Sequence, residues 1–226
     1  NIAVGTDAMT NITTGYGNTA IGIASLGTAT TAVSNVAIGQ TTMEDVPAGQ
    51  AVSSCVVIGK RALRGSGSTT TGIDGTVAIG YESLYALTTG GANTAIGYQS
   101  AKALTTGANN TYLGYQTGLV HTGDNTTYIG YKAGLASTNG DYNVALGASA
   151  HAHNVTGDLN TAIGYGSQAG VATNSHSNNT SVGASSLAAI TTGGTNVAIG
   201  ALSSDALTIG ANNVAVGYAS LSTATT

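Results

Sequence analysis

A five-residue pattern of polar and apolar positions returns along the whole chain, most clearly as Asn93-Thr94-Ala95-Ile96-Gly97. The residue before the glycine is always Ile, Val or Leu, and the residue four before it is Asn in ten of the thirteen copies. Most neighbouring copies lie 17 residues apart. A fixed period of this length, with one obligate apolar position, predicts a solenoid in which each repeat forms one coil. The motif glycines are Gly5, Gly22, Gly39, Gly59, Gly80, Gly97, Gly114, Gly130, Gly147, Gly164, Gly183, Gly200 and Gly217.

Small and larger side chains alternate within the pattern with a period of two, which is typical of a β-strand. Thr94 and Ile96 are expected on one face of this strand, with Ala95 and Gly97 on the other. We expect the apolar residue before each glycine, such as Ile96, to point into the coil interior.

A second segment follows each glycine, and apolar residues recur in it four and often seven positions after the glycine. Leucines hold the first of these positions in several repeats: Leu26, Leu63, Leu84, Leu187 and Leu221. The repeat length suits two short strands and two turns per coil, with a Thr-Thr-Gly turn before the next Asn. Insertions over residues 45–49, 64–68 and 170–177 lengthen single repeats, and their composition predicts surface loops.

These features predict an all-β fold, a parallel β-solenoid or β-roll with about 13 coils of about 17 residues. Residues 1–226 are expected to form a single repeat domain, a segment of a longer fibre-like protein. Cys55 stands at the Asn position of its repeat and is expected to be a small buried substitute.

The recurrent Asn at the strand starts is expected to form a structural ladder, in which side-chain amides bond to each other up the stack of coils. Such a ladder satisfies turn groups that would otherwise be unpaired. Its predicted members are Asn18, Asn35, Asn93, Asn110, Asn143, Asn160, Asn179, Asn196 and Asn213.

The composition narrows the classes of function. Only 6% of the residues are charged and the net charge is −4, which gives no electrostatic footprint for a nucleic-acid partner. No run of apolar residues is long enough to span a membrane. The carboxylates fall at differing positions in their repeats, so a converging catalytic pair is not predicted and we expect no enzymatic activity.

The Asn-x-Ala-Ile-Gly coils resemble the YadA-like head repeats of trimeric autotransporter adhesins. The longer form, with Asn-Thr-Ala-Ile-Gly-Tyr and Thr-Thr-Gly, is similar to repeat arrays of phage tail fibres and of bacterial surface fibres. The resemblance covers the whole chain, and this chain departs from the adhesin repeats in having a longer period. It implies a left-handed β-roll, a homotrimer and an extracellular place on a cell surface or virion. It also implies a structural and adhesive role, binding a cell-surface ligand such as a host glycan or protein, or spacing a binding tip.

Tyrosines suggest where a ligand could bind. Four of them directly follow motif glycines in consecutive coils, and two more replace the Ala of the motif in neighbouring coils. Stacked rings at strand spacing can bind sugar rings or simply stiffen the sheet, and both interpretations stay open. The candidate ligand-binding residues are Tyr81, Tyr98, Tyr112, Tyr115, Tyr128 and Tyr131.

His151 and His153 form the one candidate metal site, with no other cofactor expected. Two histidines at this spacing project to the same side of a strand, and three chains would offer six imidazoles, a set that suits an octahedral transition metal. A hydrogen-bonded or exposed pair without metal is the alternative.

The assembly itself is predicted from the small residues of the motif. Ala two positions before the glycine and the glycine itself form a flat face, which a homotrimer would cover. Ala95→Arg and Ala198→Arg are therefore expected to disrupt the oligomer before the coil. The alternative is an ice-binding β-solenoid, since paired threonines recur at Thr88-Thr89, Thr105-Thr106 and Thr191-Thr192.

Overall fold

A computed structural model describes residues 1–65, 70–171 and 174–226 of the chain. The described residues form short parallel strands joined by turns, so the predicted all-β parallel solenoid with about 17 residues per coil is confirmed. None of the described residues belongs to a helix long and apolar enough to cross a membrane. The chain divides into two compact units, Asn1–Leu113 and Gly114–Thr226.

The first unit contains seven strands of three residues each, which pair in chain order with neighbouring strands parallel. The register aligns equivalent motif positions, so Ile2 lies beside Thr19 and Ala3 beside Ala20. The strands are β1 (Ile2–Val4), β2 (Thr19–Ile21), β3 (Val36–Ile38), β4 (Val56–Ile58), β5 (Val77–Ile79), β6 (Thr94–Ile96) and β7 (Thr111–Leu113).

The second unit repeats this arrangement with six strands, and its register again aligns the motif positions, as for Ala162 beside Ala145. The strands are β8 (Thr127–Ile129), β9 (Val144–Leu146), β10 (Thr161–Ile163), β11 (Thr180–Val182), β12 (Val197–Ile199) and β13 (Val214–Val216).

Positions are numbered below from the motif glycine of each coil, so that −1 precedes the glycine and +4 lies four residues after it. The core of a coil is built from positions −2, +4 and +7, represented by Ala78, Leu84 and Leu87, which are all fully buried. In the second unit Leu187, Ile190, Ala198 and Leu207 form a core cluster of the same kind. The predicted apolar positions +4 and +7 are therefore confirmed as core positions in these coils, whereas Leu221 at +4 of the last coil is exposed.

The predicted second strand of each coil is wrong, because the segment after the glycine is a run of turns. Residues at +2 and +4 adopt left-handed backbone conformations, as shown by Glu82 and Leu84 with φ of 53° and 49°. Their amides still bond between coils, since Leu84 N donates to Ser100 O over 3.0 Å. Alternating right- and left-handed residues turn the chain within a few residues while keeping the leucine side chain inside.

An asparagine ladder runs through each unit at position −4. Asn196 shows the regular rung: its backbone N and its Nδ2 donate to Asn179 Oδ1 over 2.9 and 3.0 Å, and Nδ2 also donates to Gly210 O. In the first unit Asn35 donates to Asn18 in the same two ways. Equivalent backbone-to-side-chain bonds join Asn1 to Asn18, Asn93 to Asn110, Asn143 to Asn160, Asn160 to Asn179, and Asn196 to Asn213. Cys55 is buried in the ladder, where its backbone N donates to Asn35 Oδ1 and its thiol donates to Ile73 O, but it has no side-chain amide to bond to Asn35 Oδ1.

The motif glycine closes each strand where two coils come into contact. Gly130 has a φ of +132°, and a Cβ atom at this residue would lie 2.6 Å from the carbonyl oxygen of Gly147 in the next coil. Any side chain would therefore both strain the backbone and separate the coils.

The insertions are placed only in part. Of residues 45–49, Ala48 and Gly49 form an exposed turn, as predicted, but Val46 is fully buried and is not part of a surface loop. Residues 66–68 of the loop predicted over 64–68 and residues 172–173 of the loop predicted over 170–177 lie outside the described residues. The surface loop predicted over 170–177 is wrong at Asn174 and His176, which are buried.

Candidate functional site: the outer sheet face and the polar interior

The first and third residues of the strands, at positions −3 and −1, make up the outer sheet face of each unit. In β2 to β13 the middle residue is buried while these two are half-buried or exposed. Ile21 is 39% exposed and Ile199 is 41% exposed, whereas Ala20 and Ala198 are fully buried. The expectation that Ile96 points into the coil interior is therefore wrong, since it shares this outer face and Ala95 points inward.

The width of the coil explains this reversal. Large side chains at +4 and +7 already fill the interior, as Leu84 and Leu87 do opposite Ala78, so position −2 has room for little more than a methyl group. The Ala face is thus part of the core and is not available to another chain. The predicted order for Ala95→Arg and Ala198→Arg is accordingly reversed, because an arginine there would disrupt the coil itself.

The outer sheet face is apolar and regular. Strand registry places Val or Thr, and Ile2 in β1, in one row and Ile, Leu or Val in the next, as in the pairs Val144 with Thr161 and Leu146 with Ile163. Exposed large apolar residues of this face include Ile2, Val4, Ile21, Leu113, Val144, Leu146, Ile199, Val214 and Val216. Exposed apolar side chains that recur along one sheet face are typical of an interaction site.

Exposed tyrosines at position +1 border this face. Tyr81 and Tyr98 stack with ring centroids 5.4 Å apart and planes 15° from parallel, and in the second unit Tyr115 and Tyr131 stack at 5.5 Å and 14°. Each ring therefore turns one face toward its partner, and Lys132 Nζ lies 5.2 Å from the Tyr131 centroid. The pairs are exposed enough to contact a ligand, but much of the ring surface is used in stacking.

Tyr112 and Tyr128 lie elsewhere, since both are fully buried in the coil interior. Tyr128 OH lies 2.9 Å from Ser137 Oγ, and burial raises the pKa of its phenol far above the ordinary value. Neither ring reaches the surface. Of the six predicted ligand-binding tyrosines, only Tyr81, Tyr98, Tyr115 and Tyr131 are accessible from the surface.

His151 and His153 do not share the face of a strand. They lie in a turn, where His151 has a φ of 55° and a fully buried ring, while His153 is half-buried with Nδ1 3.1 Å from Ala169 O. A ring enclosed in its own coil cannot bind a metal shared with other chains. Within the described part of the chain, no group of three His, Cys, Asp or Glu is placed to hold a metal ion. The predicted site therefore does not form.

The structure instead brings together His121, Tyr128, His151 and His176, the polar interior of the second unit. Tyr128 packs against His121 and His151, with ring centroids 5.3 and 6.0 Å apart, and His151 meets His176 edge to face at 5.5 Å. The sequence carries a signal for this cluster outside the five-residue motif. His151 stands at +4, where Leu is the most frequent residue, and His176 stands at −7, where Gly is usual, as at Gly157 and Gly193.

An ion-pair cluster occupies one side of the first unit. Glu82 is almost fully buried, and its two carboxylate oxygens each lie 2.7 Å from a cation, Arg61 Nη1 and Lys102 Nζ. The Arg61 guanidinium also lies 4.8 Å from the Tyr85 ring centroid and donates to its hydroxyl. Arg64 pairs with Glu44 at 3.0 Å. These basic residues therefore stabilise the stack of coils.

The turn threonines are also used within the stack. Thr88 Oγ1 donates to Thr105 O, and Thr191 Oγ1 donates to Thr208 O, both over 2.9 Å. These hydroxyls therefore donate to the neighbouring coil and not to water, as an ice-binding surface would require.

Comparison with known proteins gives no neighbour for this chain: no protein-family model, no curated protein and no solved structure matches it.

Proposed function

We propose that the chain is a non-enzymatic structural and adhesive segment of an extracellular fibre, a surface adhesin or a phage tail fibre. Copies of the chain pack through their outer sheet faces, and the resemblance to adhesin head repeats favours three copies. The observation that carries this proposal is the regular apolar outer sheet face, where Ile21 and Ile199 stay exposed while the Ala rows are buried.

A second copy of the chain is the occupant that the outer sheet face fits. The face repeats with every coil and carries few charges, so it can meet an identical face along its length without burying an unpaired charge. Closed symmetry about one axis would cover the face on every copy and prevent sideways growth. Asparagine ladders and stacked tyrosines stiffen each unit, which suits a fibre.

The test compares arginine substitutions on the two sides of one strand. Ile199→Arg on the outer sheet face should convert the oligomer to a folded monomer in light scattering and circular dichroism. Ala198→Arg should instead unfold the coil, because its side chain points inward. Thr192→Arg, at an exposed turn of the same coil, is the matched control and should change neither property. A monomeric wild-type chain at micromolar concentration would refute the fibre.

Adhesion is the further part of this proposal, with a host glycan or protein as ligand. The two exposed tyrosine pairs border the outer sheet face and are the residues to test. Replacing Tyr98 and Tyr131 by Ala should abolish binding in a glycan array while leaving the oligomer intact. If the wild-type chain is monomeric and shows thermal hysteresis, the ice-binding alternative takes the place of the fibre.

A further inference from the structure

Two imidazole rings occupy the interior of the second unit, at positions where Leu and Gly are the most frequent residues in the other coils. His151 takes the place that Leu84 and Leu187 hold in their coils, and it is fully buried. His176 is 1% exposed and replaces a glycine, so its ring enters the interior beside His151. These rings lie inside the stack of coils that includes β9, β10 and β11.

The contacts of His151 fix its neutral form. Asn154 Nδ2 donates to His151 Nε2 over 3.0 Å, so the ring carries its hydrogen on Nδ1. The Asn154 amide cannot turn round easily, because its Oδ1 accepts the backbone N–H groups of Gly157 and His176. A proton added at Nε2 would therefore face the Asn154 N–H donor and break this network.

The surroundings offer no countercharge. Tyr128, His176, Asn154 and Gln168 are the polar groups around His151. Gln168 favours the protonated ring, but it forms no hydrogen bond of normal geometry with it. His176 Nδ1 lies 3.3 Å from Asn160 Oδ1 and 3.4 Å from Asn179 Nδ2, and its Nε2 has no hydrogen-bond partner. Among the described residues neither ring forms an ion pair with a carboxylate.

The third ring, His121, differs in having acidic groups nearby. It packs against Tyr128, and its Nε2 lies 2.8 Å from Gly140 O. The negative charges of Asp141 and Asp124 favour its protonated form and so raise its pKa. Burial still lowers the pKa of His121. All four histidines of the chain lie in the second unit, at positions 121, 151, 153 and 176, and the first unit has none.

We propose that the second unit is an acid-sensitive switch, in which mild acidification opens the coils around His151 and His176 while the first unit stays folded. Burial lowers the pKa of His176 to about 4, and burial together with repulsion from His176 and His121 holds the pKa of His151 well below its ordinary value. Both side chains titrate near 6.5 once unfolded. The unfolded unit thus binds more protons between pH 6.5 and about 4, so its stability falls as the pH falls through this window.

Hydrogen exchange measured by mass spectrometry on the full chain tests this switch. After correction for intrinsic exchange rates, peptides from residues 144–182 should lose at least about tenfold protection between neutral pH and about pH 5, while peptides from residues 77–113 keep theirs. Equal loss in the two units, or no loss in either, would overturn the proposal.

A consensus variant provides the matched control. The double substitution His151→Leu and His176→Gly introduces the most frequent residue at each position and should remove most of the acid-induced loss, while His153→Gln should leave it unchanged. The turn aspartates Asp124, Asp141 and Asp158 lie in the same unit, and they remain in this variant. Undiminished loss in the double variant would therefore assign the effect to groups other than His151 and His176, such as His121, and refute the switch. If that variant does not fold, the comparison of the two units in the wild-type chain decides alone.

Discussion

A Cβ atom added to Gly134 would lie 2.8 Å from the Cζ atom of Tyr128, so these two residues share one space in the coil interior. Tyr128 is a large residue at −2, and Gly134 at +4 has no side chain. In the coil of Ala78 and Leu84 the small residue is at −2 and the large one at +4. Position +4 keeps its left-handed backbone in both cases, with φ of +60° at Gly134 and 49° at Leu84. The side-chain volume in the coil interior is thus kept similar, because either position −2 or position +4 provides the large side chain.

This exchange predicts compensation between the two sites. Gly134→Leu alone should lower the free energy of unfolding by several kcal/mol, at least about 3, because the leucine would overlap the Tyr128 ring. Tyr128→Ala alone should cost about 3–5 kcal/mol through the cavity that it leaves. The double variant, which recreates an Ala and Leu pair, should recover at least about 2 kcal/mol relative to additivity. Urea denaturation of the four proteins measures this coupling, and strict additivity would contradict a shared space.

The asparagine ladder predicts that removing one buried side-chain amide lowers the free energy of unfolding. Asn196→Ala removes the donors to Asn179 Oδ1 and Gly210 O and the acceptor of the Asn213 N–H. Groups left unpaired in a buried position should cost roughly 2–3 kcal/mol in unfolding free energy. Asn139→Ala, at an exposed turn outside the ladder, is the control and should change stability by less than about 0.5 kcal/mol. Equal melting temperatures for the two variants would argue against an energetic role for the ladder.

Glu82 should link the stability of the first unit to pH and salt. Burial alone would raise the pKa of Glu82, but hydrogen bonds from Lys102 and Gln99 and the charge of Lys102 lower it overall. A carboxylate with a lowered folded pKa stabilises the protein above its unfolded pKa of about 4.3, and this contribution is lost as the pH falls through the folded pKa.

Glu82→Gln should therefore reduce the free energy of unfolding by about 1–2 kcal/mol at neutral pH, because Arg61 and Lys102 lose their common partner. The difference from the wild-type chain should shrink at low pH and at high salt, as followed by chemical denaturation. Asp7→Asn, at an exposed carboxylate of the same unit, should show no such dependence. A pH-independent difference would mean that packing, and not charge, explains the effect.

Cys55 should report the opening of the first unit. Its thiol is buried and lies 3.3 Å from Ile73 O, and burial raises its pKa to about 11. Little thiolate is present near neutral pH, and reagents have no access to it in the folded coil. Maleimide labelling of the native chain should be at least about a hundredfold slower than in urea. Rapid labelling of the native chain would show that the coil around Cys55 is open.

Repeat positions predict much of this fold because the stack aligns them one to one. The strand at each motif and the Asn196 rung follow directly from the 17-residue period, since equivalent residues must lie side by side. Period-two alternation shows that Thr94 and Ile96 share a face, but it does not show which face is inside. That choice depends on the width of the coil, which the residues at +4 and +7 determine.

The candidate site was less predictable for a related reason. His151 and His176 are far apart in the sequence and stand at two different repeat positions, so their contact emerges only when the turns at +4 and −7 are known to face the same interior. The left-handed backbone at +4 is what directs His151 inward, and propensity alone does not favour it.

The left-handed residues after each motif glycine also bear on how the chain acquires its structure. Leu84 and Leu187, with φ of 49° and 51°, are each held in a backbone conformation that costs roughly 1–2 kcal/mol. The bonds that offset this cost reach across to the adjacent coil, as Leu84 N does to Ser100 O. A coil therefore needs a folded neighbour that accepts these hydrogen bonds before its own conformation is stable. Folding should therefore propagate from coil to coil, with each folded coil acting as a template for the next one.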